Sequence, residues 1–264
     1  MKLFAEELGV VKNDEELAAL REGGRCLAEI LKEAGKRAIP GATSAELNDF
    51  AEKRIRDGGD EPVFLGYTPT GASRPFPAAL CVSVNDEIVH GIPNEVPKVF
   101  KEGDIVGLDL GLRHKGLIVD ASVTVSVGVI DSSAKRLIEA TRGALAAGIG
   151  AARAGRRVGD IGHAIEEFVK PHGFGIVVEL GGHGGGRRVH EEPQISNVGE
   201  KGTGPVLKEG MVIAIEPMLN EGSPHVKLET DGYTFKTVDG GRSAHFEHTI
   251  LVTKGEAEIF THLS

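Results

Sequence analysis

The sequence predicts an α+β fold built from two similar halves. In each half a long helical pattern is followed by a break, a shorter helical pattern and strand-like apolar runs. The glycines at the two breaks, Gly41 and Gly155, lie about 114 residues apart. The halves match weakly at single residues. Their shared order of elements nevertheless indicates one catalytic domain, residues 1–264, without a flexible linker.

The first half opens with leucine and isoleucine residues at helical spacing, which predict a helix over residues 13–37. Thr43 and Glu46 form a capping-box pattern, which predicts a second helix over residues 44–57. A loop rich in glycine and proline then covers residues 66–77. Strand-like runs are found at 79–84, 87–90, 104–112 and 117–127.

The second half repeats this plan. Asp131 or Ser132 can cap a long helix that we expect to reach about Ala154. A shorter helix is predicted near 159–170, where Pro171 ends the pattern. Strand-like runs return at 174–180, 211–216 and 246–252.

The composition limits the class of protein. The chain carries a net charge of −9 with scattered Lys and Arg, which disfavours a nucleic-acid-binding surface. No apolar run approaches the length of a membrane span, and the polar N-terminal residues do not resemble a secretory signal. We therefore expect a cytoplasmic protein without a membrane partner. Cys26 and Cys81 form no CxxC pair, which argues against a disulfide framework and a zinc ribbon.

Two aspartates lie within the strand-like runs at 104–112 and 117–127. If these runs form a hairpin that turns at His114-Lys115, Asp109 and Asp120 lie directly opposite each other, with Cβ atoms roughly 4.5–5.5 Å apart. Two carboxylates that close repel each other unless a proton or a cation intervenes. A metal site is one interpretation. A solvated pair on an exposed face, or a register slip of one residue, remains the alternative.

Three further side chains are candidate ligands. His183 is flanked by five glycines in a segment that fits neither GxGxxG nor HExxH; a mobile surface turn is the alternative interpretation. Glu216 ends an apolar run before a proline, and Glu247 lies inside another apolar run. A buried Glu needs a partner, which is either Lys or Arg or a metal.

The charges of these candidates suggest which metal they would hold. Two divalent cations neutralise four carboxylates charge for charge. Oxygen ligands with one imidazole suit Mn, Fe or Co and tolerate Zn, more than they suit Ca or Mg. Two such ions about 3.5–4 Å apart can share a water molecule and lower its pKa.

Taken in order, these candidates resemble the metal ligands of the methionine aminopeptidases. That metallopeptidase family has the pita-bread fold, in which two pseudo-symmetric halves share a central curved antiparallel sheet covered by helices. Four motifs carry the resemblance: Val89-His90-Gly91-Ile92-Pro93, the hairpin of Asp109 and Asp120, the segment Gly182-His183 to His190-Glu191-Glu192-Pro193, and Glu216-Pro217-Met218 with Phe246-Glu247-His248-Thr249. The short segment between His190 and Glu216 resembles type I members.

The resemblance implies a metalloaminopeptidase that removes the initiator methionine from nascent proteins and peptides with a small second residue. A hydroxide that bridges the two metals would attack the first peptide bond. One metal would be held by Asp109, Asp120 and Glu247. The other would be held by Asp120, His183, Glu216 and Glu247.

The resemblance also implies roles for other residues. His190 would donate a hydrogen bond to the carbonyl oxygen, and His90 would lie near the scissile nitrogen. Glu216 would act as general base and then as general acid. The pocket for the methionine side chain would be lined by Tyr67, Phe76, Cys81, Val189 and Tyr233. Two features depart from the family pattern: residues 66–77 form a longer loop, and Val189 and Tyr233 stand where larger aromatic residues are expected. Ordinary core packing is the alternative for the pocket residues.

The implied substrate is the N-terminus of a peptide or nascent polypeptide, with contact to the ribosome, and we expect a monomer. Two rivals remain open. The first is an X-Pro aminopeptidase or dipeptidase on the same fold. The second is a binding module that has lost the chemistry, although all five ligand types are present here. Among the other histidines, His245 shares a strand face with Glu247 by its period of two, which would allow it to approach the site.

Overall fold

The computed structural model describes residues 12–262. Four α-helices are found in this part of the chain. They are α1 (Asp14–Gly35), α2 (Ser44–Asp57), α3 (Ser132–Ala151) and α4 (Val158–Val169), and a 3₁₀ turn (Lys170–His172) follows α4. The predicted order of a long and a short helix in each half is confirmed.

The helices of the first half form where the sequence predicts them. Asn13 caps α1 and Thr43 caps α2, each through a capping box with a glutamate three residues later. Leucines at helical spacing on α1, including Leu20 and Leu27, are buried against the strands of the first half. This apolar stripe fixes which face of the sheet the helices cover.

The second half forms a separate apolar cluster under α3 and α4. The predicted extension of α3 to Ala154 is wrong, because the helix ends at Ala151. Ala152 leaves helical geometry (φ −79°, ψ 82°), and the N–H of Ala154 bonds instead to the carbonyl of Thr253 at 2.8 Å. Pairing with a neighbouring segment therefore replaces the last turn of the expected helix.

Fifteen β-strands are found among the described residues. Their bounds are β1 (Glu61–Pro62), β2 (Leu80–Val84), β3 (Glu87–Val89), β4 (Ile105–His114), β5 (Leu117–Ser126), β6 (Gly175–Ile176), β7 (Gly181–Gly184), β8 (Glu191–Ser196), β9 (Val212–Ile215), β10 (Met218–Asn220), β11 (Val226–Leu228), β12 (Phe235–Thr237), β13 (Ser243–His245), β14 (Glu247–Leu251) and β15 (Glu258–Ile259). The predicted strand at 174–180 is present only as β6. Beyond Val177, Val178 and Glu179 are exposed to solvent and leave the sheet.

The main sheet joins the two halves of the chain. Its antiparallel order is β1-β4-β5-β14-β9-β7-β8, with β2 paired to β4 and β15 paired to β14. The two halves meet where β5 pairs with β14. Two further sheets among the described residues have three strands each, in the orders β13-β10-β6 and β11-β12-β3. Residues far apart in sequence are thereby placed on adjacent strands.

The hairpin of β4 and β5 has a different register from the predicted one. Its turn is Lys115-Gly116, both with positive φ (49° and 83°), which is the backbone that a two-residue hairpin turn requires. Asp109 therefore pairs with Ser122 and not with Asp120. Because the register differs by two residues, the two aspartates stay on one face as diagonal neighbours.

No helix in the described part of the chain has the length and apolar character that crossing a membrane requires.

Two helical glycines test how closely the first helix packs. A Cβ at Gly24, on α1, would lie 2.3 Å from the carbonyl oxygen of Phe260, whereas a Cβ at Gly150, on α3, meets no atom within 4 Å. We expect Gly24→Ala to lower the free energy of unfolding by about 1–3 kcal/mol, because backbone must shift. The matched Gly150→Ala should raise it by about 0.5–1 kcal/mol. Urea titration of both variants measures this difference, and equal effects would contradict the packing described.

Candidate active site

Five side chains from both halves of the chain converge on one cavity. Asp109 lies on β4, Asp120 on β5 and Glu247 on β14, which are successive strands of the main sheet. His183 lies on β7, and Glu216 follows the last residue of β9. All five line a cavity of about 120 Å³. The sheet therefore brings together every residue that the sequence indicated as a metal ligand.

Polar atoms of Asp120, His183 and Glu247 are within the distances that a cation could span. Ligand atoms of Asp120, His183 and Glu247 all lie within 4.8 Å of one another. The Nε2 atom of His183 is 3.5 Å from Asp120 Oδ2 and 3.6 Å from Glu216 Oε1. The spacing suits side chains that face a common ion more than it suits side chains bonded to each other.

The backbone selects the tautomer of His183. Its Nδ1 lies 2.9 Å from the carbonyl oxygen of Gly184, and a carbonyl can only accept, so Nδ1 carries the proton. The Nε2 lone pair is then directed at the acidic cluster. This is the arrangement in which a neutral imidazole binds a metal. The close packing of Gly184 against the backbone of Glu192 depends on glycine, since a Cβ at Gly184 would lie 2.2 Å from the carbonyl oxygen of Glu192.

The surroundings of Asp109, Glu216 and Glu247 disfavour the charged forms of their carboxyl groups. Burial, followed by repulsion from Asp120, raises the pKa of Asp109 to about 8. Burial and the neighbouring acids raise the pKa of Glu216 and of Glu247 well above the usual range. No Lys or Arg is among the described residues that line the cavity. The alternative of an ion pair is therefore excluded for these acids, and the donor set fits divalent cations.

Thr249 orients one of the aspartates. Its hydroxyl lies 2.9 Å from Asp120 Oδ1 and 2.7 Å from the carbonyl oxygen of Asp120, and it accepts from the N–H of Asp120 at 3.0 Å. Sequence reasoning placed Thr249 in a motif but gave it no role. The signal was its position two residues after Glu247 on one strand, which puts both on the same face.

Two further histidines line the cavity. His90 has a positive φ of 58°, which is uncommon for a residue other than glycine and is frequent at functional sites. Burial, then the nearby His190, lowers the pKa of His90 to about 4. The pKa of His190 is lowered as well, by loss of solvent and then by His183. Both imidazoles are therefore neutral at physiological pH.

His190 has a specific partner. Its Nδ1 lies 3.0 Å from the hydroxyl of Tyr67, and its ring packs edge-on against the ring of His183 with centroids 4.6 Å apart. If the Tyr67 hydroxyl donates to Nδ1, the imidazole proton lies on Nε2. The expected pocket residue Tyr67 thus contacts a candidate catalytic histidine directly.

The walls of the cavity are apolar. The residues expected to form the pocket all line it: Tyr67, Phe76, Cys81, Val189 and Tyr233. Phe64 and Pro69 line it too and were missed, because their loop carries no periodic signal. Phe76 and Tyr233 meet edge-on with centroids 5.1 Å apart, within a small apolar cluster. These two side chains therefore serve both the pocket and local packing.

The long loop is anchored beside the cavity. The N–H of Phe76 bonds to the carbonyl of Tyr67 at 2.8 Å, and the hydroxyl of Tyr233 donates to the carbonyl of Arg74. The guanidinium of Arg74 pairs with Glu95 and also donates to the carbonyl of Asp231 at 3.1 Å. These contacts hold Tyr67 and Phe76 against the site.

Comparison with known proteins places this site in context. The sequence model of metallopeptidase family M24 matches residues 18–254. Methionine aminopeptidase from Aquifex aeolicus is 42% identical over 255 residues, covering 95% of this chain and 98% of that protein. Methionine aminopeptidase 1 from Bacillus subtilis is 42% identical over 252 residues, covering 96% of this chain and 98% of that protein.

Solved structures give the same result for the fold. The methionine aminopeptidase of Thermotoga maritima superposes with a TM-score of 0.92 at 42% identity, over 97% of this chain and 100% of that one. The prolidase of Pyrococcus furiosus superposes with a TM-score of 0.72 at 24% identity, over 97% of this chain and 66% of that one. The expected α+β pita-bread fold is confirmed.

Removing the hydroxyl of Thr249 tests how the cluster is held. We expect Thr249→Val to weaken the binding of Mn²⁺ to the metal-free protein about 10- to 100-fold, because Asp120 loses the partner that orients it. Isothermal titration calorimetry measures the affinity. Thr253→Val, on an exposed turn, is the matched control and should bind Mn²⁺ as the wild type does. Unchanged affinity in Thr249→Val would contradict the role.

Proposed function

We propose that this chain, which belongs to metallopeptidase family M24, removes the N-terminal methionine from peptides and nascent polypeptides with a small second residue. The observation that carries this proposal is the convergence of four carboxyl groups and one imidazole on an apolar-walled cavity. The relatives that are 42% identical over nearly their whole length support the methionine substrate.

The acidic cluster would hold two divalent cations from the group Mn, Fe, Co and Zn. Asp109, Asp120 and Glu247 would hold one, and Asp120, His183, Glu216 and Glu247 the other. When bound, such a pair supplies a water molecule that ionises near neutral pH. Two ions also balance the four carboxylates, which explains why the cavity needs no Lys or Arg.

The protein side chains would place the substrate and move the proton. His190, with its proton on Nε2 as the contact with Tyr67 favours, donates a hydrogen bond to the carbonyl oxygen of the first peptide bond as negative charge develops there. Glu216 accepts the proton of the attacking water and returns it to the leaving nitrogen. His90, neutral and buried beside the site, lies near that nitrogen and orients it.

The apolar walls would accept the methionine side chain. Phe64, Phe76 and Tyr233 present aromatic rings to the cavity, and a thioether packs favourably against such rings. Cys81 and Val189 complete the wall. The pocket is small, so it holds one side chain and leaves the bond after the first residue at the acidic cluster.

An X-Pro peptidase is the weaker alternative. The prolidase that superposes on this chain is only 24% identical, and this similarity concerns the fold alone.

We further propose that the catalytic unit is a single domain spanning residues 1–264. It would act as a monomer in the cytoplasm, on chains that leave the ribosome.

Peptide cleavage tests the proposed function. We expect the protein, supplied with Mn²⁺ or Co²⁺ under reducing conditions, to release the first residue of Met-Ala-Ser and to leave Leu-Ala-Ser and Ala-Pro-Ser largely intact. Chromatography of the products measures this. Asp109→Ala should lose nearly all activity, because the proposed site of one of the two cations loses a carboxylate ligand. Preferential cleavage of Ala-Pro-Ser would favour the X-Pro alternative, and no cleavage of any peptide would refute the proposal.

A further inference from the structure

His245, the last residue of β13, approaches the acidic cluster from a direction that the proposed mechanism leaves unused. Its side chain is almost fully buried, with 3% of the residue exposed. The Nε2 atom is buried and has no hydrogen-bond partner. Buried polar atoms are nearly always bonded, so an unbonded imidazole nitrogen requires an explanation.

The unbonded nitrogen faces Glu216. His245 Nε2 lies 3.6 Å from Glu216 Oε2, and His183 Nε2 lies 3.6 Å from the other oxygen, Oε1. Each oxygen of this carboxyl group therefore has one imidazole nearby. His183 presents a lone pair, whereas the role of the His245 nitrogen is not fixed by any bond.

The distance of 3.6 Å is longer than a hydrogen bond, which needs roughly 2.7–3.2 Å between nitrogen and oxygen. Glu216 lies beyond the end of β9 and is the most exposed of the four acids, with 15% of its side chain accessible. A small rotation of its carboxyl group would bring Oε2 within reach of His245. The buried Nε2 atom of His245 would then have a hydrogen-bond partner without any movement of the imidazole.

The backbone holds His245 firmly in place. The hydroxyl of Thr124 accepts from the N–H of His245 and donates to its carbonyl oxygen, both at 2.9 Å. Met218 pairs with His245 across β10 and β13. An imidazole on a backbone anchored in this way, next to a carboxyl group that can rotate, is suited to orient that group.

We propose that His245 is a positioning residue that donates a hydrogen bond from Nε2 to Oε2 of Glu216. The bond orients the carboxylate so that Oε1 faces the cluster beside His183. This inference rests on the proposed function, in which Glu216 acts as ligand and as base. It adds a residue outside the set of ligands and catalytic residues that the motifs indicated. The role of His245 depends on the length of its side chain and on its ability to donate a hydrogen bond.

Two amide substitutions test whether the length of the side chain matters as well as its polarity. His245→Gln places an amide nitrogen near the position of Nε2, whereas His245→Asn has the same amide on a shorter side chain that cannot reach Oε2. We expect His245→Asn to lower the affinity of the metal-free protein for Mn²⁺, and kcat on Met-Ala-Ser, about 10- to 100-fold. KM should change little. His245→Gln should retain most of the Mn²⁺ affinity and most of kcat. Calorimetry measures the affinity, and steady-state kinetics measure kcat and KM.

His248→Gln serves as the control, since His248 lies on β14 and bonds to Thr261 at 2.9 Å on the face away from the cluster. It should keep wild-type affinity and kcat. Thermal unfolding of each variant verifies that it is folded. Equal properties for His245→Asn and the wild type would overturn the inference, and so would equal losses in folded His245→Asn and His245→Gln. If the wild type fails to cleave Met-Ala-Ser, the proposed function fails, while the affinity for Mn²⁺ still tests the hydrogen bond.

Discussion

The close approach of four carboxyl groups in one buried cavity is the constraint on which the rest of the structure depends. Asp109, Asp120 and Glu247 are each less than a tenth exposed, and no Lys or Arg among the described residues lines the cavity with them. Without a cation, burial and mutual repulsion raise the pKa values of Asp109, Glu216 and Glu247, so that protons must replace the missing positive charge. The cluster is thus a poor structural element and a good metal site, which is the compromise between stability and function expected at a catalytic centre.

The fold meets this constraint by dividing the acids between its two halves. Asp109 and Asp120 belong to the first hairpin, and Glu216 and Glu247 to strands of the second half, with the pairing of β5 and β14 as the junction. The leucines that alternate with Asp109 on β4 belong to the apolar cluster that packs under α1. The sheet therefore has one face that stabilises the fold and one face that carries the chemistry. Thr249 links the halves at the site itself, because it lies on β14 and binds Asp120 on β5.

The elements that the sequence predicted well are those with strong local signals. The helical spacing of leucine and isoleucine residues located α1, and the capping-box pattern of Thr43 and Glu46 defined the start of α2. The alternation of strand residues placed Asp109 and Asp120 on one face, even though the turn was assigned one residue too early. What escaped prediction depends on contacts between distant segments. The end of α3 depends on its contact with Thr253, and the contact of Tyr67 with His190 depends on a loop without periodicity. The period of two suggested that His245 could approach the site, but its bonds to Thr124 gave no signal in the sequence. A sequence read by itself contains no signal for such pairings.

The measurement that tests this account most directly is the stability of the metal-free protein as the acidic cluster takes up charge. Because the folded-state pKa of Asp109 is raised from 3.8 to about 8, its contribution to stability is complete at low pH and is lost as the pH rises through 8. Between pH 7 and 9, His90 and His190 are already neutral, since their pKa values lie near 4 in the folded protein and near 6.5 otherwise. Urea unfolding in chelator should show the wild type losing stability across this window and Asp109→Asn losing less. Mn²⁺ at pH 8 should stabilise the wild type more than Asp109→Asn, because the substitution removes a ligand of one of the two cations. Parallel curves for the two proteins, or no effect of Mn²⁺ on the wild type, would contradict the account.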